Sequence, residues 1–148
     1  MNNKKYIFSP ISGIVQNIYE TKDFLNYTKK IIIHSTKKII VSPCDGIIKN
    51  YFPKKKNFII QSNSNINIYI KNKYILKNKK KNNFFSMKKK STKICSGEII
   101  FIINELTKKN KSMYVQTTIE ISCNQKMKKI KNSLYKVKAG ITILTYIN

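Results

Sequence analysis

Ile66-Asn67-Ile68-Tyr69-Ile70-Lys71 alternates apolar and polar residues at every step. A period of two sends one set of side chains into a core and the other into water, which is the pattern of a β-strand. Thr117-Thr118-Ile119-Glu120-Ile121-Ser122 repeats the alternation, and Ile141-Thr142-Ile143 continues it near the C-terminus. Working outward, the β-branched runs Ile31-Ile32-Ile33, Lys38-Ile39-Ile40-Val41 and Phe58-Ile59-Ile60 suit the same pleated, half-buried setting. Turn residues punctuate at Ser9-Pro10, Ser42-Pro43, Asp45-Gly46, Ser96-Gly97 and Ala139-Gly140. No window carries a long apolar stripe of period 3.6, and only Lys126 to Ser133 suits a short surface helix. The expectation is an all-β chain of antiparallel strands, closed as a sandwich or barrel, with at most one or two short helices.

One repeat stands apart from the alternation. Ser9-Pro10-Ile11-Ser12-Gly13-Ile14-Val15 recurs as Ser42-Pro43-Cys44-Asp45-Gly46-Ile47-Ile48. In each copy Pro sets the entry to a turn, Gly permits a tight backbone and an apolar strand leaves. Chance similarity of two turns is the plain reading. The sharper one, favoured by what surrounds the copies, is a fold of related halves whose turns lie side by side.

The chain has 148 residues, 41% of them hydrophobic, which suits one domain over residues 1–148 with one core. The longest apolar run, Ile99 to Ile103, is far too short to cross a bilayer as a helix. Met1 to Lys5 leads into no apolar signal core, so a cytoplasmic protein without membrane insertion is expected. The net charge is +24, and all 30 basic residues are Lys. Such a charge ordinarily points to nucleic acid or an anionic surface. Yet Arg, the usual reader of bases and bidentate clamp of phosphate, is absent from the chain. Lys (30), Ile (28) and Asn (18), which share AT-only codons, fill just over half of the positions. An AT-rich genome accounts for much of the charge. The runs Lys54-Lys55-Lys56, Lys79-Lys80-Lys81 and Lys88-Lys89-Lys90 then read as solvated loops, though they raise non-specific affinity for nucleic acid. Cys44, Cys95 and Cys123 show no paired spacing, and only His34 stands ready to join them. Free thiols, with no metal site and no cofactor, are the expectation.

The ordered set of segments resembles the glucose-type enzyme IIA of the bacterial sugar phosphotransferase system. The two Ser-Pro-x-x-Gly turns, then Phe52 to Ile60, then Ile66 to Lys71 follow that family's order. Cys95-Ser96-Gly97-Glu98-Ile99-Ile100 is similar to its Gly-Asp-x-hydrophobic segment, and Val137-Lys138-Ala139-Gly140 to its closing Val-x-x-Gly. Lys111-Ser112 followed by Thr118 to Ser122 resembles its Lys-Ser…Thr-Pro-Val-Val-hydrophobic stretch. The resemblance spans nearly the whole chain. It implies an antiparallel β-sandwich of the duplicated-hybrid-motif type. It also implies two protein partners, the histidine-containing phosphocarrier protein and the IIB domain of a sugar permease.

The same resemblance locates a departure. The family carries phosphate on one histidine, with a second facing it. Phe52-Pro53-Lys54-Lys55-Lys56-Asn57-Phe58 puts Lys56 at one histidine position, and the strand Ile66 to Ile70 puts Lys71 at the other. Ile75 occupies the place of an acidic docking residue. Imidazole is a nucleophile near neutral pH, whereas a lysine ammonium has no lone pair to offer phosphorus. Three readings of the two lysines stand: solvated replacements on a face that has lost its reaction, a cationic pocket for phosphate or carboxylate, and a phospholysine relay activated by mutual repulsion. His34 lies where the family has a strand end, without a carboxylate to orient it, and reads as a strand-end residue. No catalytic residue is intact on this reading, which leaves enzymatic activity open.

Two other functions compete. A basic β domain could stack nucleic-acid bases on Tyr69, Tyr74, Phe84 and Phe85 among lysines, but no RNP-like, GXXG or zinc motif accompanies them. A biotinyl- or lipoyl-type carrier would need its modified Lys in a flanking motif that the chain lacks.

Overall fold

The computed structural model describes residues 4–52, 57–62, 65–75, 83–86, 92–104, 114–129 and 134–148. Fourteen strands account for the regular structure of these residues, without a helix among them. In chain order they are β1 (Lys5–Phe8), β2 (Gly13–Asp23), β3 (Asn26–Ser35), β4 (Ile39–Val41), β5 (Gly46–Phe52), β6 (Asn57–Ser62) and β7 (Asn67–Ile75). The rest are β8 (Asn83–Ser86), β9 (Lys93–Ile94), β10 (Ile99–Asn104), β11 (Tyr114–Cys123), β12 (Lys128–Lys129), β13 (Tyr135–Val137) and β14 (Ile143–Ile147).

The predicted alternation is what the sheets use. Along β11 the odd residues Val115 to Cys123 are buried and the even ones half-exposed. β7 and β3 do the same with Ile68 and Ile70, and with Ile31 and Ile33. These strands belong to an open eight-stranded antiparallel sheet, ordered β13-β2-β3-β11-β7-β6-β5-β9. Two three-stranded sheets, β1-β14-β12 and β4-β10-β8, supply Ile7, Leu144 and Ile147 on one side, and Ile40, Ile100 and Phe101 on the other, to one core shared with the large sheet. The arrangement is a sandwich whose sheets do not close into a barrel.

That order is a palindrome. β13, β2, β3 and β11 answer β9, β5, β6 and β7, and β1-β14-β12 answers β4-β10-β8. The bulges repeat as well: β2 slips between Val15 and Asn17, and β5 between Ile48 and Asn50. The two Ser-Pro turns face each other, with the Phe8 N–H donating to Pro43 O and the Val41 N–H to Pro10 O. Ser9 and Ser42 each turn their hydroxyl onto the carbonyl two residues on, at 2.7 Å. A Cβ on Gly13 would lie 2.3 Å from His34 O, and one on Gly46 2.2 Å from Gln61 O, so both strands begin where only glycine fits. The matching registers place a pseudo-two-fold axis between β7 and β11 at the paired Ile70 and Ile119. The sharper reading of the repeat was the right one, and the duplication runs through the whole architecture.

Two expectations need correction. Lys126 to Lys129 form no helix: Met127 turns into the core, 6% exposed, and β12 pairs with Tyr146 and Thr145. Pairing at an open sheet edge with an anchored Met outweighs a weak local helical preference; residues 130–133 lie outside the described residues. Ile141 does not start the last strand but sits in the turn after Gly140, 69% exposed; the strand begins at Ile143, and Leu144 and Thr145 are both buried, so it does not alternate.

Candidate functional site

The outward face of the large sheet is set by the same alternation. Lys71 leaves β7 one residue beyond the pseudo-dyad, exposed, between Asn57 on β6 and Thr118 on β11. Its Nζ lies 4.8 Å from the centroid of the Tyr69 ring, and the Tyr69 hydroxyl accepts from Asn57 Nδ2 at 3.4 Å. An aromatic face attracts an ammonium ion, and this contact seats the Lys71 side chain on the ring. Beside Tyr69, register places Glu120, then Lys30, then Tyr19. Lys73 and Lys136 add to the lysines around Glu120 on this face. Glu120 is also the pseudo-dyad counterpart of Lys71, so the two halves place opposite charges at equivalent points.

A shallow depression of about 420 Å³ opens on this face, lined by Lys49, Asn50, Ile59, Gln61, Tyr69 and Glu120. Its amide, hydroxyl and carboxylate groups can hydrogen-bond a partner surface, and they assemble no nucleophile with a neighbouring base.

The other predicted positions fall as follows. Lys56 and the three lysine runs lie outside the described residues, as do Lys111-Ser112 and the side chains of Tyr74, Ile75, Phe84 and Phe85. His34 is the penultimate residue of β3, half-buried, with its ring 5.2 Å from that of Tyr114. It shares the outward face with Lys71 but stands two strands and one rung away, about 12 Å by sheet geometry. None of the three cysteines is in a disulfide. Burial pushes the Cys44 thiol up to about 12, helped by the Asp45 carboxylate, and burial also raises Cys123. No trio of His, Cys, Asp and Glu among the described residues is placed to hold a metal ion.

Lys29, which the sequence reading passed over, is the most constrained charge. It is 2% exposed, and its Nζ donates to Thr145 Oγ1 at 3.1 Å and to Lys128 O at 3.3 Å, and pairs with Glu20 at 3.2 Å. Three oxygens on one ammonium satisfy a buried cation. The signal was available: in Thr28-Lys29-Lys30-Ile31, strand alternation aims Lys29 inward with Ile31.

Comparison with known proteins agrees with this architecture. Residues 5–128 match the family described as phosphoenolpyruvate-dependent sugar phosphotransferase system, EIIA 1. The PTS system glucose-specific EIIA component of Buchnera aphidicola subsp. Acyrthosiphon pisum (strain APS) is 30% identical over 149 residues, covering 97% of this chain and 92% of that protein. The fold is shared with glucose permease IIA from Mycoplasma capricolum, at a TM-score of 0.71 and 18% identity, over 99% of this chain and 97% of the other. By sequence match over most of its length, with the duplicated sandwich as its frame, the chain belongs to the EIIA family of the sugar phosphotransferase system and is of the glucose type.

Proposed function

We propose that this chain is a glucose-type EIIA in which phosphoryl transfer at the family's two histidine positions is lost and protein binding is kept. The observation that carries this reading is Lys71: it stands on β7 beside the pseudo-dyad, exposed, with its ammonium on the Tyr69 ring. Lys56 stands at the other histidine position by the order of the segments around Phe52 and Phe58. The partners are the histidine-containing phosphocarrier protein and a permease IIB domain, met in the cytoplasm by one domain over residues 1–148. Their contact is regulatory, without passage of phosphate. No described helix is long and apolar enough to cross a membrane, which accords with a peripheral role.

The test is phosphoryl transfer. The folded protein is mixed with the general phosphotransfer enzyme, the histidine phosphocarrier and labelled phosphoenolpyruvate. The expected result is no acid-labile label on this chain. Label abolished by Lys71→Ala would establish a lysine relay and overturn the proposal, and label abolished by His34→Ala would move the reaction to another place.

A further inference from the structure

We propose that the corner where β2, β3 and β13 meet binds a phosphate-bearing small molecule with a flat ring, of the nucleoside monophosphate class. The corner holds a concavity of about 450 Å³, within the usual range for a small-ligand pocket. Its walls are apolar and aromatic: Ile14, Val137, and the half-buried His34 ring tilted 41° to that of Tyr114. A flat ring can stack on such a pair. Lys37, Lys136 and Lys138 stand on its rim, and none of the described lining residues is acidic.

The pseudo-symmetry turns this from a crowd of lysines into a distinction. In this corner the Ser12 hydroxyl accepts from the Ala139 N–H at 2.9 Å, and the Thr142 hydroxyl from the Lys138 N–H at 2.8 Å. In the equivalent corner the same two posts are held by carboxylates: Asp45 accepts from the Ser96 N–H at 2.7 Å and Glu98 from the Cys95 N–H at 2.8 Å. The surrounding backbone bonds match, Gly140 N–H to Ser9 O at 2.8 Å and Gly97 N–H to Ser42 O at 2.9 Å. Hydroxyls and carboxylates therefore close the same turn, and the fold does not dictate which. Where hydroxyls do it, none of the described lining residues offsets the lysine charge and an anion is favoured. Where Asp45 and Glu98 do it, two carboxylates offset the nearby lysines and an anion is less favoured. His34 against Tyr114 supplies the flat wall at the first corner, and the second has Gln61 at the place of His34.

The probe is AMP, titrated into the full chain at fixed ionic strength beside adenosine and inorganic phosphate. Heat is measured together with the NMR shifts of the single histidine ring. Saturable one-to-one binding of AMP is expected, at least tenfold tighter than either fragment, with shifts of the His34 and Tyr114 rings. Ser12→Asp imports the carboxylate that the other corner already uses on the same amide, so it keeps the turn and is expected to weaken AMP at least tenfold. Lys136→Ala with Lys138→Ala is expected to do the same, and Lys93→Ala at the opposite corner to change nothing. Non-saturating binding, phosphate or adenosine as tight as AMP, or Ser12→Asp without effect would each overturn the proposal.

Discussion

In the half entered through Ser42-Pro43, Phe58 and Phe101 meet edge to face, with centroids 5.6 Å apart and planes at 89°. At the equivalent places the other half has Ile31 and Thr145, since Ile7 pairs with Thr145 as Ile40 pairs with Phe101. The Thr145 hydroxyl there faces inward, donates to Lys128 O at 2.6 Å and receives the buried Lys29 ammonium. One backbone plan, with the same bulges and the same turn bonds, is thus filled by an aromatic pair on one side and by a cation with its oxygens on the other. The strand pairings and glycine contacts carry the fold. What packs between the sheets is free to be apolar or polar, provided that every buried polar group finds a partner.

The contrast in filling is the first thing to break. Phe58→Ala removes a fully buried ring and should cost about 4 kcal/mol in urea unfolding, as large aromatic truncations do. Lys29→Met keeps the buried volume and removes the need for three oxygen partners, so it should change stability by no more than about 1 kcal/mol. A loss as large as that of Phe58→Ala would mean that the ion network, not its volume, holds that half together.

The shared plan can be sharpened at its two tight glycines. Gly13→Ala and Gly46→Ala each drive a Cβ into a backbone carbonyl, which cannot rotate away as a side chain would. Each should destabilise by roughly 3 kcal/mol, near the upper end for overpacking. Equal losses are expected, and a difference of more than about 1 kcal/mol would show that one half holds its strands less tightly.

The smallest effect concerns the thiols. Cys44 belongs to the second turn and is buried, Cys123 ends β11 buried, and Cys95 is exposed. At pH 8 one thiol per folded chain should react quickly with a disulfide reagent, and Cys95→Ser should remove that phase. The Cys44 thiol is raised from 9.0 to about 12, so across that window the folded state holds a proton that the unfolded state has lost. Its contribution to stability is complete below pH 9 and falls as the pH climbs towards about 12. Cys44→Ala should flatten that part of the profile relative to the parent chain.

Much of this architecture was legible in the residues. Ile66 to Lys71 and Thr117 to Ser122 became the two central strands because their alternation has one buried face to serve. The Ser-Pro repeat announced the two halves because the turn demands those residue types. The palindrome was not legible beyond that repeat, since equivalent positions hold Phe101 and Thr145, or Asp45 and Ser12, and share a backbone role without a side-chain type. Lys126 to Lys129 misled because a weak local preference yields to an edge strand formed with residues distant in sequence. Of the face around Lys71, the residue and its strand were readable, but its seat on Tyr69 and the neighbouring Glu120 are cross-strand facts that need the register.

The two halves are not successive pieces of chain. β4 to β10 make one half without interruption, whereas the other is assembled from β1–β3 at the start and β11–β14 at the end. During synthesis the inner half can pair its own strands as they emerge. β3 must wait for β11, and the span from Ser35 to Tyr114 takes about 4–16 s at 5–20 residues per second. Throughout that interval the apolar residues of β3 have no permanent neighbour on the β11 side. β3 leaves the ribosome before the whole inner half and is enclosed after it.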